Sequence, residues 1–306
     1  MQKNHSIGIY VILLLSMFFW GTSYVFTKIV LSYADPITII FIRLVISVVL
    51  LWVVIAIFYH KSGIQKSDIK YLLLLAFCEP FVYFLGETYG IERVSPVVAS
   101  LVISTIPVFT AIVLTIFFRT KLNRLNQIGI LVSFVGIVLM ILGKNMQLQV
   151  DMVGLLFLLI AVAASIGYGL ILTKLSAQVH PIWLIAFQNT VGLILFLPLW
   201  LTCGQPIVYT HEAISLLGFS LTPVQAFWTC IVILSVFSST LAFMFYSIAV
   251  SKIGLARSIV FTNLIAIFTA ITAYFLVDES FNMQKIMAII IVLIGVVLTQ
   301  MGKKYA

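Results

Sequence analysis

The sequence predicts an all-α integral membrane protein: ten transmembrane helices forming two inverted-topology five-helix repeats. Three observations predict it. The 306 residues are 63% hydrophobic and 8% charged, against roughly 25% charged in a soluble domain; one soluble core cannot hide that excess. The apolar residues fall into runs of membrane-crossing length joined by short polar connections. The two halves also resemble each other, with opposite charge in matching loops.

The runs, in order, are roughly 9–31, 37–58, 71–91, 94–118, 126–143, 153–175, 182–202, 224–250, 254–277 and 283–301. The first is longer than a signal-peptide core and is read as a retained helix. The second carries Arg43. The third holds two carboxylates, Glu79 and Glu87, with Pro80 directly after the first, where a missing backbone donor is expected to kink the helix. Glu79, Tyr83 and Glu87 step by four and share one side of a helix. The fifth and tenth contain GIVLMILG from Gly136 and GVVLTQMG from Gly295, whose small residues suit close helix contact, either within the fold or between two copies in a homodimer. The stretch 203–223, with Gly204, Pro206, His211, Glu212 and Pro223, reads as a longer loop.

Lys and Arg set the orientation. One side holds Lys3, Lys61, Lys66, Lys70, Arg119, Lys121, Arg124, Lys174, Lys252, Arg257, Lys303 and Lys304. The other holds Lys28, Arg93, Lys144 and Lys285, with Asp35, Glu92, Asp151, Glu212, Asp278 and Glu279. This bias puts both termini in the cytoplasm. WGTSYVFTK at 20–28 matches IGYGLILTK at 166–174, Asp35-Pro36 matches His180-Pro181, PVFTA at 107–111 matches AIFTA at 266–270, and Gly136 matches Gly295. Five spans per half turn the second half over in the membrane, a construction common in secondary transporters. The halves are residues 1–145 and 150–306. Arg119 and Lys121 follow the fourth run where Asp278 and Glu279 follow the ninth, as opposite sides require.

The +8 net charge is not read as nucleic-acid binding, because the basic residues sit in short connections. Cys78, Cys203 and Cys230 lack metal-ligand or redox spacing, and no metalloprotease, nucleotide-loop or serine-hydrolase pattern is found. No cofactor or metal is expected, and no enzyme.

The segments Trp20-Gly21 to Lys28, Phe41-Ile42-Arg43, Ala99 to Pro107, and Gly136 with Gly295 together resemble the drug/metabolite transporter superfamily, in its EamA-type ten-helix form. The resemblance spans nearly the whole chain. It implies a central cavity enclosed by helices 1–4 and 6–9, with helices 5 and 10 peripheral. The chain departs from that pattern at Ala266, where members often carry proline, and at Thr120, where they often carry glutamate; Glu279 is kept in the second half. The substrate is left unassigned.

Glu79 lies about eight residues from its cytoplasmic helix end, ~12 Å at helical rise, near the middle of the membrane. It is read as a proton-binding carboxylate, the alternative being a structural carboxylate held by hydroxyls. Under the repeat it maps to Ser238, in Ser238-Ser239-Thr240, which either serve substrate or satisfy their own helix. Arg43 and Glu87 have matching depth and are expected to make contact, directly or through one water, for structure or, alternatively, as a gate that opens when substrate competes. Gln188 (the repeat mate of Arg43), Asn189 and Asn263 are polar groups at depth that suit substrate or interhelix hydrogen bonds. Tyr83, Tyr89, Tyr168 and Tyr246 are candidate cavity aromatics. Lys28 is expected to snorkel.

These readings converge on a multi-pass inner-membrane secondary transporter of a small organic molecule, in contact with lipid and working by alternating access, with proton coupling at Glu79. Export is implied by the resemblance alone. An uncoupled facilitator or exchanger is the alternative. An intramembrane enzyme would need converging nucleophile, base or metal ligands, and the sequence offers none.

Overall fold

The computed structural model describes residues 7–58, 64–118, 123–141, 150–209, 214–216, 219–277, 279 and 281–301. Lys3, Lys61, Arg119, Thr120, Lys121, Gly143, Lys144, His211, Glu212, Asp278, Gly302, Lys303 and Lys304 lie outside the described residues.

The described chain is nearly all helical. Its helices are α1 (Ile7–Val30), α2 (Pro36–Phe58), α3 (Lys66–Arg93), α4 (Pro96–Ile103 continued by Ile106–Phe118), α5 (Arg124–Ile141), α6 (Met152–Leu175), α7 (Pro181–Cys203), α8 (Pro223–Ile253), α9 (Ile259–Leu276) and α10 (Met283–Met301). Eight are long and apolar enough to cross a membrane; α5 and α10 are shorter apolar helices.

Several helix starts share one device. Ser95, His180 and Thr222 each cap a helix whose next residue is proline: Ser95 Oγ accepts from the Val98 N–H, His180 Nδ1 from Ile182, and Thr222 Oγ1 from Gln225. Asp35 before Pro36 does the same for α2, its Oδ2 accepting from the Thr38 N–H at 3.1 Å. The side chain satisfies an orphan donor, and proline occupies a position whose N–H needs no intrahelical partner.

Two helices are interrupted near mid-length. In α3 a wide turn spans Phe77–Val82, and Glu79 leaves helical geometry altogether (φ −147°, ψ 118°). A residue before proline is driven out of the helical region by the ring, so Pro80 breaks the helix rather than merely bending it. In α8 a wide turn spans Leu234–Ala242. Thr240 Oγ1 there donates to the Ser235 carbonyl at 2.9 Å.

Helix α5 lies along α10, α3 along α6, and α2 along α7; α1 packs against α8 and α9, and α4 against α6 and α9. Glycines permit the closest approach. A Cβ at Gly295 would lie 2.3 Å from the Ser133 backbone N, and one at Gly129 2.3 Å from the Thr299 backbone N. Gly136 likewise sits against Val292. The described glycines of these two helices are therefore used within the chain.

The long connection is not wholly loop. Ile214–Leu216 and Phe219–Leu221 form an antiparallel hairpin, pairing Ile214 with Leu221 and Leu216 with Phe219. The purely helical reading is corrected here: apolar and polar residues alternate too briefly for a helix but suit a two-stranded ribbon. The preceding segment is tied down, with the Val208 N–H donating to the Tyr33 carbonyl and the Gln205 N–H to Asp35 Oδ1.

Candidate functional site

The interruption of α3 opens onto an interior cavity of about 50 Å³, room for about three waters. Its wall comes from α1 (Trp20), α2 (Arg43), α3 (Glu79, Tyr83, Phe84, Glu87), α4 (Ile103, Ile106), α6 (Ser165, Tyr168), α8 (Ser238, Phe243, Tyr246) and α9 (Ile259, Thr262, Ile265). Neither α5 nor α10 contributes to it.

Arg43 is 1% exposed. Its Nε donates to Ser239 Oγ at 3.0 Å and its Nη2 to Ser238 Oγ at 3.4 Å. Its guanidinium carbon stands 4.3 Å from the centroid of the Phe84 ring, a cation–π contact. The widened turn of α8 thus presents two hydroxyls to one guanidinium. Arg43 Nη1 is buried without a hydrogen-bond partner.

Glu87 is reached by a chain of phenols. Tyr83 Oη donates to Glu87 Oε1 at 3.0 Å. Tyr24 Oη lies 3.2 Å from Tyr83 Oη; with the Tyr83 proton committed to Glu87, Tyr24 is the donor. Of the contact expected between Arg43 and Glu87, directly or through one water, the direct ion pair is not formed. Among the described residues the ion pairs are Arg93–Asp151 and Lys285–Glu279. Arg43 has found the α8 hydroxyls and Glu87 the phenols, although both face the same cavity.

Glu79 is 5% exposed. Among the described residues no group hydrogen-bonds or ion-pairs with its carboxylate. The alternative, that hydroxyls hold it, finds no counterpart among the described residues: Ser238 faces the same cavity but donates nothing to Glu79 and serves Arg43 instead. Pro80, next in the chain, seats on Gly192 of α7, where a Cβ would meet the ring at 2.3 Å.

The other candidates separate. Tyr168 and Tyr246 line the cavity. Gln188 is fully buried next to Tyr168 and is not part of the lining. Asn263 is buried with an unpartnered Oδ1 and is not part of the lining, though its neighbour Thr262 is. Asn189 is structural: its Nδ2 donates to Ser47 Oγ at 2.8 Å and to the Ser239 carbonyl at 2.9 Å, tying α2, α7 and α8 together. Tyr89 stacks on Phe157, away from the cavity. Lys28 does more than snorkel, its Nζ donating to the carbonyls of Ile91, Glu92 and Val94 at 2.8–3.0 Å at the end of α3, where a cation complements the helix dipole.

Tyr24 and Trp20 were missed as site residues. Trp20, Tyr24 and Lys28 step by four, as Glu79, Tyr83 and Glu87 do, so the signal was present. Trp20 packs edge-on to Phe243 with centroids 5.1 Å apart. Among the described residues no cluster of three or more His, Cys, Asp or Glu could hold a metal ion.

The family model of the EamA-like transporter family matches residues 7–142 and 152–301. The chain belongs to that family. It is similar to the uncharacterized transporter YcxC of Bacillus subtilis (strain 168), 23% identical over 300 residues, covering 97% of this chain and 94% of the relative. An uncharacterized transporter of Archaeoglobus fulgidus is 23% identical over 287 residues, covering 94% and 96%. A solved crystal structure shares the fold with a TM-score of 0.67 at 13% identity, covering 95% of this chain and 98% of that one. This EamA-like chain is a multi-pass membrane transporter.

Proposed function

We propose that this chain is a secondary transporter of a small organic molecule, alternating access to the cavity between the two sides of the inner membrane and coupled to protons at Glu79. The observation that carries the proposal is the partnerless buried carboxylate at a helix break, on a cavity enclosed by seven helices. An ionisable group so placed in a membrane is costly unless it is used.

The working architecture is ten spans in two inverted repeats, 1–145 and 150–306, with both termini cytoplasmic. The packing supports it: the contacts of α1 with α9 and of α3 with α6 correspond under the repeat to those of α6 with α4 and of α8 with α1. The interruptions of α3 and α8 also correspond, as in transporters whose broken helices frame the site. The direction implied by the resemblance is export. A cavity of about 50 Å³ is smaller than a ligand site of ~300 Å³ or more, so this conformation is closed and must widen to admit cargo.

Two experiments test the reading. Cysteine labelling of intact cells should find position 66 cytoplasmic and position 151 external; cytoplasmic labelling at both would overturn the orientation and the inverted repeat. Flux into vesicles of the purified protein should respond to an imposed pH gradient. Flux indifferent to that gradient would favour the uncoupled facilitator.

A further inference from the structure

The charged groups of the cavity are unequally served. Glu87 has a phenol donor backed by a second, and Arg43 has two hydroxyls and a ring, yet Arg43 keeps one N–H-bearing nitrogen, Nη1, buried and unanswered. An unpaired buried donor is costly, more so when charged. Here the rest of the guanidinium is clamped: Ser239 fixes Nε, Ser238 fixes Nη2 and Phe84 covers one face. The free nitrogen therefore has a set position on a cavity-lining side chain rather than a swinging one.

We infer that Arg43 is the substrate's anion subsite, with Nη1 receiving the carboxylate of a small organic acid whose apolar body lies against Trp20, Phe243 and Tyr246. This deepens the transport reading above and rests on it. A guanidinium matches a carboxylate in plane and charge better than any other side chain, and Trp20, Phe243 and Tyr246 give the remainder of the ligand an aromatic wall. The titratable and charged groups around this point are Glu79, Tyr83 and Glu87 of α3, Tyr24 of α1, Tyr168 of α6 and Tyr246 of α8. Glu87 balances Arg43. A third carboxylate is accommodated when Glu79 holds a proton, because adjacent like charges disfavour one another. Acid and proton then occupy the cavity together and leave together, so export would carry the undissociated acid in net terms.

The test uses the purified full-length protein and matched probes: 3-phenylpropionate and 4-methylpentanoate, their primary amides, and 3-phenylpropylamine, with binding read by ligand-observed saturation-transfer NMR. The unsubstituted protein should bind each acid roughly tenfold to a hundredfold more tightly than its amide, the range of one charge-assisted hydrogen bond. Arg43→Gln should weaken the acid far more than the amide and so erase that preference, and Arg43→Lys should keep part of it. Equal binding of acid and amide, no acid binding at millimolar probe, tightest binding of the amine, or an acid preference that survives Arg43→Gln would each overturn the inference. If Arg43→Gln does not fold, the acid–amide comparison on the unsubstituted protein decides alone. Flux of the unsubstituted protein indifferent to a pH gradient, with the acid preference intact, would strike the coupling reading and leave this one standing; proton-driven flux with no acid preference would strike this one only.

Discussion

Substituting Gly295 by alanine tests how closely α5 and α10 are required to approach. A Cβ there would lie 2.3 Å from the Ser133 backbone N, 2.5 Å from its Oγ and 2.8 Å from the Gly129 carbonyl. Ordinary contact begins at 3.4 Å, so the helices must part by about 1 Å locally. Two of the three obstacles are backbone atoms and cannot rotate away. Forcing a methyl into a closed contact costs typically ~1–3 kcal/mol, and we expect about 2 kcal/mol for Gly295→Ala. Gly129→Ala meets the same seam from the other side, so the double substitution should cost clearly less than the sum, the helices having already separated. Gly167→Ala is the control, since its Cβ would meet only the Cys78 sulfur at 3.2 Å. The assay is reversible unfolding in mixed micelles, with oligomeric state followed by light scattering. A neutral Gly295→Ala would refute the packing argument. A change of oligomeric state at unchanged stability would move these glycines to an interface between copies.

Other outcomes follow from the same contacts. Ser239→Ala strands the Arg43 Nε donor and should destabilise by roughly 1.5–3 kcal/mol; a cycle with Arg43→Met should show coupling, and strict additivity would mean the hydrogen bond contributes nothing. Lys28→Met removes the cation from three carbonyls at the end of α3 and should lower the melting temperature, with Lys28→Arg recovering part; equal melting of Lys28→Met and the unsubstituted protein would refute the cap. Asp151 accepts from the Gly154 and Val153 N–H groups and lies beside Arg93, which holds its carboxyl below the usual aspartate range. A carboxylate so depressed contributes stability above its unfolded value of about 3.9, lost as pH falls through the folded value. Asp151→Ala should therefore melt lower than the unsubstituted protein at pH 7, with the gap closing below about pH 4; a gap that widens in acid would contradict the sign.

The helices were legible because membrane-length apolar runs carry their own signal, and the cap-proline pairs at Ser95, His180 and Thr222 mark starts in the sequence itself. The strand pair Ile214–Leu216 and Phe219–Leu221 was not, since its alternation covers only a few residues inside a loop. Of the site, Glu79 and Pro80 stood out because a charge and a proline are rare in such a run. The direct hydrogen-bond partners of Arg43 were not legible for a physical reason: depth along a helix says how high a group sits, not which way it faces. Two serines on a widened turn of α8 met the guanidinium first, and sequence spacing on a regular helix does not reveal where a helix widens. Tyr24 was recoverable, lying four residues after Trp20 on the face that meets α3.

The central claim is that Glu79 takes the coupling proton. Glu79→Gln keeps the shape of the protonated acid and its hydrogen-bonding capacity but cannot exchange a proton. Once the cargo is identified by comparing metabolites in cells with and without the protein, the decisive measurement is uphill transport by purified protein in vesicles under an imposed pH gradient. The account predicts that Glu79→Gln binds cargo and exchanges it across the membrane, yet accumulates none against its gradient. Accumulation equal to that of the unsubstituted protein would contradict it and return Glu79 to a structural role.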